Sequence, residues 1–195
     1  MTFKFQASPC WALFSALILL VSVPAHAQEA QTPISPAELA ALTTKAQQGD
    51  AQAEFTLGVG YFTGAAGSVD HGKAVAWLQK SADAGHAYAQ ANLASLYISG
   101  VGVPKDDVAA FSYFQKAAMA GLAKAQDNVA YMYAVGMGVD QNYKMAYVWY
   151  DLASRNGMPE DAQMRDTALM NMPLNEIDNA RKLAGALDPH KPVFP

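Results

Sequence analysis

The stretch Gly100–Gly121, GVGVPKDDVAAFSYFQKAAMAG, decides the fold. It reads Gly-x-Gly-Val, then an acidic pair, then Ala-x-x-aromatic and Lys-Ala-Ala-x-x-Gly. Two glycines ahead of an acidic residue invite comparison with a phosphate loop. Such a loop needs a strand before it and a Lys-Ser/Thr after the second glycine. Neither is present, whereas copies of the stretch lie on both sides of it.

Gly49, Gly85, Gly121 and Gly157 are each 36 residues apart. Ala53, Ala89 and Ala125 keep that spacing, as do Leu57, Leu93 and Val129, and Tyr61, Tyr97 and Tyr133. So do Gly64, Gly100 and Gly136, then Asp70, Asp106 and Asn142, then Ala74, Ala110 and Ala146, then Trp77, Tyr113 and Trp149. A fixed period of this length is the signature of a stacked repeat array. Three units follow, 50–85, 86–121 and 122–157.

Each unit reads as two helices and two turns. In unit one the first helix is expected over about Gln52 to Phe62, with small residues (Ala53, Gly58) for close approach and large ones (Leu57, Tyr61) as filler. Spacing by three and four places them on one face. Gly100 and Gly102 end the corresponding helix of unit two, because glycine takes positive φ without strain. Asp70, Asp106 and Asn142 stand where a side-chain oxygen caps the second helix. That helix is expected to bury Ala74 and Trp77. Unit one departs from the pattern, with Ala66 where the others have Gly102 and Gly138, and Gly67 one step later.

The array is bounded by end pieces, since each unit buries its core only against neighbours. Ser35-Pro36-Ala37-Glu38 is a capping box opening an end helix over 35–49 that carries Leu39, Leu42 and Ala46. At the other end, 158–187 holds a helix of about Glu160 to Met170, a break at Met172-Pro173, and a last helix with Ile177, Ala180, Leu183, Ala184 and Leu187 on one face. Residues 28–34 read as a linker and 188–195 as a tail. The expected fold class is all-α, an α-solenoid of antiparallel helix pairs.

Residues 1–27 read as a secretory signal peptide. Lys4 precedes an apolar run from Trp11 to Val23, and Ala25-His26-Ala27 supplies an A-x-A cleavage site. The run is shorter than the roughly 20 residues of a membrane span. Cleavage after Ala27 leaves Gln28–Pro195, which lacks cysteine because the only one is Cys10. Stability then rests on packing without disulfides. The 17 acidic residues all remain against 12 of the 13 basic ones, a net charge of −5. That balance argues against nucleic acid and anionic membrane surfaces as partners. Export is expected, to the periplasm or beyond the cell.

The helix-pair pattern A-x-A-x-x-x-L-G/A-x-x-Y-x-x-G, followed by G-V and D-x-x-x-A-x-x-W/Y, resembles the SEL-one-like repeat (SLR) family, a relative of tetratricopeptide repeats. The stretches that carry the likeness are AEFTLGVGYFTG, AQANLASLYISGVGV and AQDNVAYMYAVGMGV, and AYVWYDLASRNG is similar to the last repeat of exported bacterial members. The resemblance spans Ser35 to about Leu187. It implies a solenoid whose concave face is built from first helices, and a protein-interaction scaffold without catalysis. Exported bacterial members act in envelope assembly, signalling or host contact. A cysteine-rich branch is linked to β-lactam binding, but this chain lacks those cysteines and has no Ser-x-x-Lys motif.

The side chains offer no convincing catalytic or metal grouping. His71, His86 and His190 lack the i, i+4 pairing of a helical metal site and read as solvated turn or tail residues. Asp106-Asp107 reads as a helix start rather than a carboxylate pair. Met170, Met172 and the other methionines are too scattered for a copper site. Trp77 and Trp149 sit at a core register rather than on a sugar platform. No cofactor and no metal are expected.

The candidate binding residues are first-helix positions that the repeat does not use for its own packing. Unit one supplies Gln52, Phe55, Val59 and Phe62; unit two Tyr88, Ala91, Ser95 and Ile98; unit three Lys124, Asp127, Tyr131 and Ala134. Phe55 also has a structural reading, because aromatics recur there in the family. Together they make an apolar groove with aromatic anchors and a few polar handles, suited to a protein or peptide partner in the bacterial envelope. Regulation of a cell-wall enzyme or sensor kinase by direct contact, a hydrolase, and a simple spacer are the competing readings.

Overall fold

The computed structural model describes residues 33–194. The signal-peptide reading of 1–27, and residues 28–32, lie outside them. Among the described residues there are nine helices and no strand: α1 (Pro36–Gln47), α2 (Ala51–Thr63), α3 (His71–Asp83), α4 (Ala87–Ser99), α5 (Asp107–Met119), α6 (Ala123–Val135), α7 (Tyr143–Arg155), α8 (Asp161–Met170) and α9 (Leu174–Ala186). Pairs α2/α3, α4/α5 and α6/α7 are the three units. Each helix packs against the next in sequence through α8, and α9 folds back onto α7.

The repeated residues set the helix ends. Asp70, Asp106 and Asn142 accept from the backbone N–H groups of Lys73, Ala109 and Met145 at 2.9, 2.9 and 3.0 Å. Each such cap is worth about 1 kcal/mol. Gly100 closes α4 in the left-handed conformation with φ 70°, and Gly64 and Gly136 do the same for α2 and α6. At α1 the capping box is formed in both directions between Ser35 and Glu38.

Packing within a unit depends on a small residue on the first helix. A Cβ at Gly58 would stand 2.6 Å from Leu78 Cγ, so only glycine admits that side chain. Alanine holds the same register at Ala94 and Ala130, both fully buried. Packing between units uses the long turn. A Cβ at Gly102 would stand 2.6 Å from the His71 carbonyl oxygen, so this turn lies directly on the preceding unit's second helix. Unit one has no preceding unit. Its Ala66 donates to the Gly60 carbonyl at 3.0 Å, beside Ile34, whose N–H donates to the Ala65 carbonyl at 2.8 Å. Ile34, at the end of the expected linker, is thus part of the fold.

Two expectations for the core are corrected. Trp77 is half-buried, and Leu78 beside it fills the buried position of α3. The indole packs, as Leu39 and Leu42 of the end helix do, against the cluster of Ala46, Ala53 and Leu57, and carries the Lys80 ammonium 4.3 Å above its ring. Trp149, at the same register in unit three, is fully buried. The reason is its cover: Phe194 packs against its ring at 5.0 Å between centroids. The segment 188–194, expected as a tail, is a strap laid back along α6 and α7. Pro192 within it is fully buried.

Candidate functional site

The predicted groove residues fall on the face formed by α2, α4 and α6, and the structure divides them into three groups. The first lies at the N-terminal ends of α2 and α4. His86 caps α4, accepting from the Ala89 N–H at Nδ1 (3.2 Å), and its Nε2 meets Gln52 Oε1 at 3.0 Å. An accepting Nδ1 leaves Nε2 as the protonated nitrogen, donating to Gln52. Phe55 stacks on this imidazole with centroids 4.7 Å apart, and Tyr88 completes the cluster 6.4 Å from Phe55. Burial holds the His86 pKa below its ordinary value.

The second group surrounds a cavity of about 210 Å³ between α2 and α4. Val59 and Phe62 line it from α2, and Ser95, Leu96 and Ser99 from α4. Leu78 and Val101 contribute further apolar wall, and Asn92 the remaining polar one. Phe62 is half-buried, its ring 5.2 Å from His71. The hydroxyls of Ser95 and Ser99 are spent on their own helix, donating to the carbonyls of Ala91 (3.1 Å) and Ser95 (2.9 Å).

The third group stands on α6, facing α7 and α8. Lys124 and Asp127 form an ion pair, and Tyr131 is half-buried beside the core. Behind them lie two buried groups from neighbouring helices, Tyr150 and Asp161. Burial, with the Asp127 charge adding to it, raises the Asp161 carboxyl to about 7. The same two influences push the Tyr150 hydroxyl upward.

Several expectations change here. Phe55, Val59 and Ala91 are buried at 4%, 3% and 0% exposure, so the array does use them for its own packing. The cause is geometric: these positions of one first helix point at the next first helix. Val59 still lines the cavity wall. Ile98 and Ala134 are half-buried against the core. His71 and His86 are not solvated turn residues; both rings are half-buried against aromatic neighbours.

Asn92 was not anticipated from the sequence. It lies between two core positions, Ala89 and Leu93, where a polar residue reads as surface. Its repeat register was the available signal, since Thr56 and Asn128 are also polar there. Among the described residues no three His, Cys, Asp or Glu side chains gather as a metal site, and no helix is long and apolar enough to cross a membrane.

Comparison with known proteins agrees with this architecture. The Sel1 repeat model matches residues 51–86, 87–122 and 123–158, each one residue later than the units drawn from the glycine spacing. The chain is similar to the c5321 protein of uropathogenic Escherichia coli, described as a protective antigen displaying an SLR fold, at 36% identity and a TM-score of 0.67. That alignment covers 75% of this chain and 32% of c5321, so the chain spans about a third of that relative's length. A Sel1 repeat protein from Oxalobacter formigenes is similar at 32% identity and a TM-score of 0.63, over 67% of this chain and 98% of that one. No curated protein matches the sequence. With three consecutive repeats matched over more than half its length, the chain belongs to the Sel1 repeat family.

Proposed function

We propose that this protein is a non-enzymatic, exported interaction module that binds a partner protein through the first-helix face of its solenoid. The Sel1 repeat is commonly a protein-interaction scaffold. The observation that carries the reading is the apolar cavity between α2 and α4, lined by the predicted positions Val59, Phe62 and Ser95. An apolar recess with aromatic edges is where interface energy concentrates. Export to the periplasm rests on Lys4, the apolar run 11–23 and the Ala25-His26-Ala27 site. The partner is then a protein of the bacterial envelope.

The test is crosslinking capture in cells of the producing organism, with the native chain and a Phe62→Ala/Tyr131→Ala version as baits. The reading expects one envelope protein to be enriched by the native chain and lost with the double variant, at unchanged helical content. Equal capture by both overturns the assignment of the face.

A further inference from the structure

The residue before the repeating glycine is Gln48, Ala84, Ala120 and then Asn156. Alanine holds the place twice, so the helix end itself does not require an amide there. Asn156-Gly157 is also the one Asn-Gly pair in the sequence.

The Asn156 amide serves the strap 188–194. Nδ2 donates to the Gly121 carbonyl at 2.7 Å, to Gln126 Oε1 at 3.2 Å and to the Pro189 carbonyl at 3.3 Å. All of these neighbours are acceptors, so the network requires the nitrogen on that side. The strap crosses the same turn so closely that the His190 carbonyl occupies the place of a Cβ at Gly121. Gly157, by contrast, is exposed, takes φ 101°, and has nothing within 4 Å of where its Cβ would stand.

We infer that Asn156 is a self-deamidation site, and that its conversion to aspartate or isoaspartate releases the strap. The inference is independent of the partner-binding face.

The chemistry needs only the chain and water. The Gly157 backbone nitrogen attacks Asn156 Cγ. The new C–N bond closes a succinimide ring, the Cγ–Nδ2 bond breaks, and Nδ2 leaves as ammonia with the Gly157 proton. Water then opens the ring at either carbonyl, giving aspartate or isoaspartate. Glycine favours the attack because it has no Cβ to block it and turns freely. While Nδ2 is held by its acceptors, the carboxamide is kept from swinging toward Gly157. Local opening of the strap frees it.

The product does not return to the locked arrangement. A carboxylate only accepts, and it would face the same carbonyl oxygens that Nδ2 had served. Neighbouring donors do not repair this. Arg155 is committed to Asp151 and to the carbonyls of Leu187 and Ala184. The Gln126 NH₂ donates to the carbonyls of Ala118 and Pro189, so turning it to the new carboxylate also lets Pro189 go. Opening of the strap is reversible, and deamidation makes it one-way. Phe194 then leaves Trp149.

The test ages the full-length protein at neutral pH beside Phe194→Ala and Asn156→Asp. Peptide mass spectrometry follows residue 156, and ¹⁵N NMR follows the Trp149 indole N–H. Phe194→Ala loosens the strap without touching the Asn-Gly pair, and is expected to deamidate at Asn156 about tenfold faster than the native chain. The deamidated native protein and fresh Asn156→Asp are both expected to show a shifted Trp149 signal with faster hydrogen exchange. If Asn156→Asp does not fold when made afresh, the aged native chain supplies the same carboxylate in protein that folded as the amide.

Equal rates in the native chain and Phe194→Ala overturn the inference, because the strap then does not guard the amide. A Trp149 signal unmoved in the deamidated protein overturns it as well, as does modification confined to other asparagines.

Discussion

The buried side chain of Gln126 donates to the carbonyl of Pro189 at 2.6 Å, although 63 residues separate them in sequence. Asn156 donates to the same carbonyl at 3.3 Å and to Gly121 O at 2.7 Å. These bonds pin the strap 188–194 across the last unit and carry Phe194 onto Trp149. Removal of residues 188–195 uncovers that indole and deprives a buried amide, Gln126, and a half-buried one, Asn156, of an acceptor. The expected loss is about 2–4 kcal/mol, read as a lower urea midpoint. A midpoint unchanged by the truncation contradicts a structural strap.

The register that places Gln126 also exposes a flaw in unit one. Gln90 and Gln126 donate to the carbonyls of Ala82 and Ala118 at 3.1 and 3.2 Å. Glu54 takes their place in α2, and its buried Oε2 has no hydrogen-bond partner. A carboxylate cannot donate as the glutamines do. Glu54→Gln supplies the donor and removes the unpaired oxygen, so it is expected to stabilise the protein by about 1 kcal/mol at neutral pH. Thermal unfolding of the two versions checks this, and a lower melting point for the variant contradicts it.

His86 couples the α4 cap to pH. Its Nδ1 can accept from Ala89 only while unprotonated. The folded pKa lies below the ordinary value of about 6.5. The folded state therefore disfavours the proton, and the stability this cap contributes is complete above about pH 6.5 and lost as pH falls through the folded value. Asp50 caps α2 at the same register with a carboxylate, accepting from Ala53 at 3.0 Å. His86→Asp is thus expected to keep the cap and to lose less stability between pH 7.5 and pH 5 than the native protein. Parallel pH profiles argue against the mechanism.

Asp161 acts with the opposite sign. Its folded carboxyl titrates near 7 because it is buried and faces Asp127. An unfolded aspartate titrates at about 3.9. Between those values the folded chain holds a proton that the unfolded chain has released, so stability falls as pH rises from about 4 to 7. Asp161→Asn is expected to raise the melting temperature at pH 8 and to change it little at pH 4. A gain that is equal at both pH values rules out ionisation as the cause.

The helices, their order and their caps were legible because they repeat: a residue type recurring every 36 positions marks the same place in each unit. What lay outside the repeat was less legible. Trp77 shares a register with Trp149, yet it packs at the edge of a small cluster of Ala46, Ala53 and Leu57 and stays half-buried. Helical spacing tells one side of a helix from another, but not which side meets the next unit, so Val59 reads as groove surface and Phe55 as either groove or structure. The strap has no periodicity and is broken by Pro189 and Pro192. Asn92 sits among core positions, where helical spacing does not tell a cavity-lining side chain from a packed one.

The most direct test of the first-helix face as the partner site is photocrosslinking in living cells. A benzophenone amino acid replaces Phe62 at the cavity in one version and exposed Lys116 on the second helix α5 in another. The account predicts that the probe at 62 crosslinks one protein and that the probe at 116 does not. Crosslinking of the same protein from 116 and not from 62 contradicts it and moves the binding surface to the second helices.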